Sequence, residues 1–189
     1  MRTLAALAAA ALLCACASSG GHAAHAAPSI APRQAWIVAA DGRPVGQATF
    51  TEAPAGVLIR LEFSERSLPP GWHGLHVHQH GDCSDFAAGF QAAGGHIGMD
   101  HAVQHGLLNP RGPEAGDLPN LFASPAGAYA AEFFSPHLTL SPTPIRGREQ
   151  LLDADGAALI IHAQADDQDS QPIGNAGPRI ACAALRPLP

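Results

Sequence analysis

Residues 81–119 form a continuous glycine- and proline-rich stretch with no hydrophobic periodicity, set between segments that read as β-strands. An unstructured connection of about forty residues is rare inside a compact domain unless something pins it and uses it. The chain must therefore fold into a scaffold stiff enough to carry one long loop, with a device that fastens the loop down. Long helices are excluded as that scaffold, because twenty glycines and seventeen prolines make up about a fifth of the 189 residues. Disorder is excluded too, since 47% of the residues are apolar and the net charge is only −6.

The rest of the chain is patterned as β-structure. Residues 35–39 are an apolar run followed by the hairpin signal Asp41-Gly42. Residues 47–51 alternate, and after the turn Pro54-Ala55-Gly56 residues 57–63 do so with period two, as a half-buried antiparallel strand does. Pro69-Pro70-Gly71 breaks the chain before a strand at 74–80, and further strands are predicted near 121–123, 128–134, 157–162 and 179–185. Seven or eight short strands with such punctuation predict an all-β Greek-key barrel or sandwich, of about eight antiparallel strands with long loops. The length allows one domain, at residues 35–189.

The N-terminus reads as an export signal. Met1-Arg2 precedes an alanine-rich apolar run at 4–13, too short to span a bilayer but suited to a signal core. It ends in Leu13-Cys14-Ala15-Cys16, which resembles a bacterial lipoprotein box with Cys16 as the acylated residue. The alternative is an ordinary secreted protein cleaved near Ala24-His25-Ala26. Residues 1–16 are thus a signal peptide and 17–34 a flexible tether, whose His22 and His25 read as solvated linker residues. Contact with the membrane is expected only through that lipid anchor, and the location is periplasmic. Two cysteines remain in the body, Cys83 and Cys182, and in an oxidising compartment they read as one disulfide, with two free buried thiols as the alternative. All ten basic residues are arginines, too few and too scattered for a nucleic-acid partner.

The histidines supply the pin. Six of the eleven lie between His73 and His101, with His105 just beyond. His76 and His78 flank Val77 on a predicted strand, so both project from one face about 6–7 Å apart at the backbone, close enough to ligate one metal. His96 and His105 lie in the long loop, Asp117 follows them, and His162 ends a distant apolar strand.

Gly74-Leu75-His76-Val77-His78, Gly95-His96, Gly116-Asp117-Leu118, His162 and the run from Gly174-Asn175-Ala176-Gly177-Pro178 to Arg179-Ile180-Ala181-Cys182 resemble copper/zinc superoxide dismutase. The resemblance runs in order over nearly the whole mature chain, and Cys83, five residues after His78, looks like the family's bacterial periplasmic branch. It implies a Greek-key barrel with metals held outside by long loops, and an oxidoreductase that converts superoxide to O₂ and H₂O₂ by alternate reduction and oxidation of copper. Carried over residue by residue, copper falls to His76, His78, His96 and His162, and His96 also bridges to zinc. His105 and Asp117 match further zinc ligands. Asp166 matches the carboxylate that joins copper and zinc ligands, and His73 matches a bracing histidine that binds no metal. Arg179 matches the guanidinium beside copper, and His96 the ring that delivers a proton to the product. Cys83 and Cys182 match the family disulfide, and both monomers and homodimers occur among bacterial members.

Two positions depart from the family pattern. Where a third zinc histidine usually stands, three residues before the aspartate, this chain has Glu114. Zinc accepts carboxylate oxygen, so the alternatives are Glu114 as ligand, His101 as its substitute, or an incomplete zinc site. Zinc is accordingly expected to bind more weakly than copper. In the loop at 163–178, where the family often places charges that steer superoxide, there are three aspartates and no base. Attraction of the anion then falls mainly to Arg179 and the metal.

Overall fold

The computed structural model describes residues 30–99 and 102–187. The signal, Cys16, His22, His25 and His101 lie outside the described residues.

Eight strands form one antiparallel sheet: β1 (Arg33–Ala39), β2 (Pro44–Ala53), β3 (Gly56–Phe63), β4 (Gly71–His78), β5 (Asp117–Ala123), β6 (Tyr129–Ser135), β9 (Ala157–His162) and β10 (Arg179–Leu185). A two-residue parallel pair, β7 (Leu138–Thr139) and β8 (Glu149–Gln150), lies within the connection from β6 to β9. The order across the sheet is β5-β4-β9-β10-β1-β2-β3-β6. Its two outer strands, β5 and β6, approach each other, so the sheet curls into a nearly closed barrel. The connections β3 to β4 and β6 to β9 each cross between the halves of the sheet, as Greek-key links do.

Alternation sets which faces turn inward. On β3, Val57, Ile59, Leu61 and Phe63 enter the core while Arg60 and Glu62 face water. On β2, Val45 and Ala48 both point inward, which strict alternation forbids. The register slips opposite Ile37 and Val38, and this bulge absorbs the extra residue. β9 is buried on both faces, which is why its sequence runs apolar without alternating. Ala157, Leu159 and Ile161 line the barrel interior, whereas Ala158 and Ile160 form an outer cluster with Phe90, Ala93 and Cys182.

That outer cluster is the underside of the long loop. The loop contains two short 3-10 turns, Phe86–Ala88 and Gln91–Ala93, too brief to leave a periodic signal. The disulfide Cys83–Cys182 fastens it to β10. Several strand limits differ from the sequence expectation. β4 begins at Gly71 and ends at His78, and β5 begins at Asp117, inside the stretch read as loop, with exposed Pro119 tolerated on this outermost strand. β1 starts at Arg33, within the stretch assigned to the tether, because Arg33 pairs with Phe50.

Candidate metal centre

Two adjacent strands and one loop converge outside the barrel. His76 and His78 project from the outer face of β4, opposite to the core residues Leu75 and Val77. His162 ends neighbouring β9, two residues past Ile160, which pairs with His76. The loop brings in His96 by running alongside β4. Ile97 N–H donates to Val77 O at 2.9 Å, Val77 N–H to Gly116 O at 2.8 Å, and Gly116 N–H to Ile97 O at 2.9 Å. A Cβ at Gly116 would lie 2.2 Å from Val77 O, so this triangle closes only around glycine.

One nitrogen of each imidazole is held by the protein. His76 Nε2 lies 2.8 Å from Asp166 Oδ2, and His96 Nδ1 lies 2.8 Å from Glu114 Oε2. His78 Nδ1–H donates to Gly94 O at 2.9 Å, and His162 Nδ1–H to Gly177 O at 2.8 Å. The other nitrogens, His76 Nδ1, His78 Nε2, His96 Nε2 and His162 Nε2, are buried and have no hydrogen-bond partner among the described residues. These donor atoms lie within 4.8 Å of one another. An orphaned buried polar atom costs about 1–3 kcal/mol, and four that converge describe a cage for a cation that takes imidazole. Fixing the far nitrogen fixes the tautomer, so each near nitrogen offers a lone pair. Burial above all keeps three of these rings neutral: His76 is pushed down to about 4, His162 to about 3, and His78 well below the ordinary histidine range.

A second group shares His96. His96 Nδ1, His105, Glu114 and Asp117 are buried and also offer donor atoms within 4.8 Å of one another. His105 Nδ1 is 2.8 Å from Asp117 Oδ1, and its Nε2 is 3.1 Å from Asp166 Oδ1. Burial works against charge on His105, but Asp117 and Asp166 outweigh it and raise its pKa to about 10. Burial is likewise opposed at His96, where Asp117 and Glu114 raise the pKa. Burial would protonate Asp117 and Asp166, yet the facing histidines hold both carboxyls far below the usual range. The positions between these carboxylates and imidazoles are where a divalent cation would fit.

Asp166 joins the two groups through its two oxygens, one on His76 and one on His105. It is itself seated by Asn120, whose Oδ1 accepts Asp166 N–H at 2.8 Å and whose Nδ2–H donates to Asp166 O at 2.8 Å. Gly174, at φ +57°, lies against the carboxylate so closely that a Cβ there would overlap Asp166 Oδ1. His73 stands apart from both groups, with Nδ1 at 2.7 Å from His162 O and Nε2 at 2.8 Å from Pro69 O. Arg179 starts β10 opposite His162, and its guanidinium donates to Phe90 O at 2.6 Å and Gly94 O at 2.7 Å. The Glu114 side chain is buried, at 5% exposure, and faces His96. Asn120 and the carbonyls of Gly94 and Gly177 escaped the sequence reading. Backbone acceptors carry no side-chain signal, and a lone asparagine on a strand carries little.

A family model for copper/zinc superoxide dismutase matches residues 45–185. The chain is 46% identical over 150 residues to a Cu-Zn superoxide dismutase of Caulobacter vibrioides, covering 79% of this chain and 83% of that protein. To a Cu-Zn superoxide dismutase of Aquifex aeolicus it is 37% identical over 151 residues, covering 79% and 84%. Among solved structures, an SOD-like protein from Bacillus subtilis superposes with TM-score 0.70 at 34% identity, covering 80% of this chain and 97% of that one. The Cu/Zn superoxide dismutase from Brucella abortus superposes with TM-score 0.60 at 28% identity, covering 82% and 99%. With the histidine cage, the barrel and these relatives in agreement, the chain belongs to the copper/zinc superoxide dismutase family of oxidoreductases, whose cofactors are copper and zinc.

Proposed function

We propose that this protein is a superoxide dismutase that converts two superoxide ions and two protons to O₂ and H₂O₂. The observation that carries this is the convergence of four orphaned imidazole nitrogens on one point. His76, His78, His96 and His162 hold copper there, and His96, His105, Glu114 and Asp117 hold the second ion, zinc. Copper, when bound, supplies one-electron exchange with superoxide in both directions, which imidazole donors tolerate in both oxidation states.

The chain supplies the rest. Arg179 presents a fixed cation next to the cage, and its charge adds to burial in lowering the pKa of His78 and His162. A small anion is thus attracted and oriented by the guanidinium. We assign to His96 Nε2 the proton carried to the product, the ring being kept in orientation through Nδ1, which faces Glu114 and Asp117 of the second site. Asp166 fixes the rings of His76 and His105, and His73 braces the end of β9 through the His162 carbonyl. The protein is exported to the periplasm and anchored through acylated Cys16. Mass spectrometry of the membrane fraction tests this, and a soluble chain beginning near Ala27 would contradict it. The catalytic claim is tested by superoxide disappearance in copper-loaded protein, with H₂O₂ formed at one per two superoxide ions consumed.

A further inference from the structure

We propose that the second cation site accepts manganese(II) as well as zinc(II), and that Glu114 is the residue responsible. This rests on His96, His105, Glu114 and Asp117 being that site's donors. The two sites sharing His96 differ in kind. The first offers four imidazole nitrogens and no oxygen, whereas the second pairs two imidazoles with two carboxylates.

Each carboxylate is built into the site. Asp117 Oδ2 accepts Gly106 N–H at 2.7 Å and Glu114 N–H at 2.9 Å, which leaves Oδ1, 2.8 Å from His105 Nδ1 and 3.4 Å from His96 Nδ1, as its donor toward the cation. These ties use the backbone of Glu114 and leave its side chain for His96, with Oε2 2.8 Å from Nδ1. Two carboxylates balance the whole charge of a divalent ion, so attraction depends on charge more than on the ion's affinity for nitrogen. Imidazole suits zinc, copper and nickel, while carboxylate suits magnesium, calcium and manganese. Each replacement of nitrogen by oxygen narrows zinc's lead over manganese(II). Asp166, on the far nitrogen of His105, adds a third carboxylate just outside the donor set.

The test uses folded protein whose first site is filled with copper held as Cu(I), which gives no EPR signal. Manganese(II) and zinc(II) are titrated singly and in competition, with manganese read by EPR and zinc by elemental analysis. Wild type should bind one manganese(II) per chain. Glu114→His should raise the zinc-to-manganese affinity ratio by about tenfold or more, and Glu114→Gln, which keeps the size, should weaken manganese by about tenfold and zinc by less. A ratio unchanged within about twofold in both variants, or no manganese binding by wild type that binds zinc, would overturn the proposal. If neither ion enters wild type while copper fills its own site, the donor assignment itself falls, and the proposal with it. Copper stoichiometry and circular dichroism identify any variant that has failed to fold.

Discussion

Arg179 and His78 are tied to the same atom. The Gly94 carbonyl accepts from the guanidinium at 2.7 Å and from Nδ1–H of the imidazole at 2.9 Å. One backbone oxygen thus sets both the guanidinium proposed to meet the substrate and the tautomer of a ring in the four-histidine cage. Arg179→Ala should lower kcat/KM about tenfold or more through lost attraction of the anion. Arg179→Lys should recover only part of it, because an ammonium cannot span Phe90 O and Gly94 O as the fork does. Pulse radiolysis measures both, and equal rates for the three proteins would contradict the assigned role.

Long-range steering should be weak. The loop at 163–178 contains Asp166, Asp167 and Asp169 and no base, and Asp166 is buried within the metal-site network. The rate of superoxide disappearance should therefore fall only shallowly as salt is added. A steep fall would show a basic funnel elsewhere on the surface.

The two ions should differ in the protons they displace. At neutral pH, His76, His78 and His162 are already neutral, so copper displaces none from them. His105, raised to about 10, carries a proton that the second ion must remove. Zinc loading at pH 7 should release about one proton per ion, and zinc should be lost before copper as the pH falls. Indicator titration during loading with each metal decides this. Equal release for both metals would contradict it.

Stability of the metal-free protein should peak near the ordinary histidine pKa of 6.5. His105 has a raised folded pKa, so its contribution is complete below 6.5 and is lost as pH rises through about 10. His76 and His162 work in the opposite direction. They stay neutral in the fold to about 4 and about 3, while the unfolded chain takes up protons below 6.5, so stability falls as acid is added. Asp117 and Asp166, lowered in the fold, contribute above 3.8 and lose this as the pH drops further. Denaturation of chelator-treated protein across pH should trace this dome, and stability rising steadily from pH 6 to 9 would contradict it.

Cys83→Ser should affect stability far more than chemistry. The bridge spans a separation of 99 residues and fastens the long loop to β10. Constraining an unfolded loop of that length contributes about 4–5 kcal/mol in the chain-entropy model. At saturating copper, activity should be largely retained while the thermal midpoint falls. A comparable loss of both would place the disulfide within the working geometry.

Much of this was legible because β-structure and metal ligation leave strong local marks. His76 and His78 on either side of Val77 dictate a shared face, and the alternation at 57–63 places β3 and its core side. β9 was legible as an apolar run, but not as a wall buried on both sides, since that depends on Phe90 and Ala93 arriving from the loop. The limits of β4 and β5 were set by pairing, His76 opposite Asp117 and Gly71 opposite Ala123, which no local pattern encodes. The β7–β8 pair is too short to show a period. At the site, residue types gave the ligand candidates, but Glu114's direction needed the turn in which Asp117 N–H donates to Glu114 O. The Gly94 and Gly177 carbonyls, which fix the His78 and His162 tautomers, have no sequence signature.

The central claim is that the four orphaned nitrogens hold a copper ion that turns over superoxide. The most direct measurement is the pulse-radiolysis rate of superoxide loss for wild type and His76→Ala, each with its bound copper counted. The account predicts one copper at the first site of wild type with catalytic superoxide loss, and no catalysis by the variant. Wild type carrying that copper without accelerating superoxide loss, or a His76→Ala protein as fast as wild type, would contradict it.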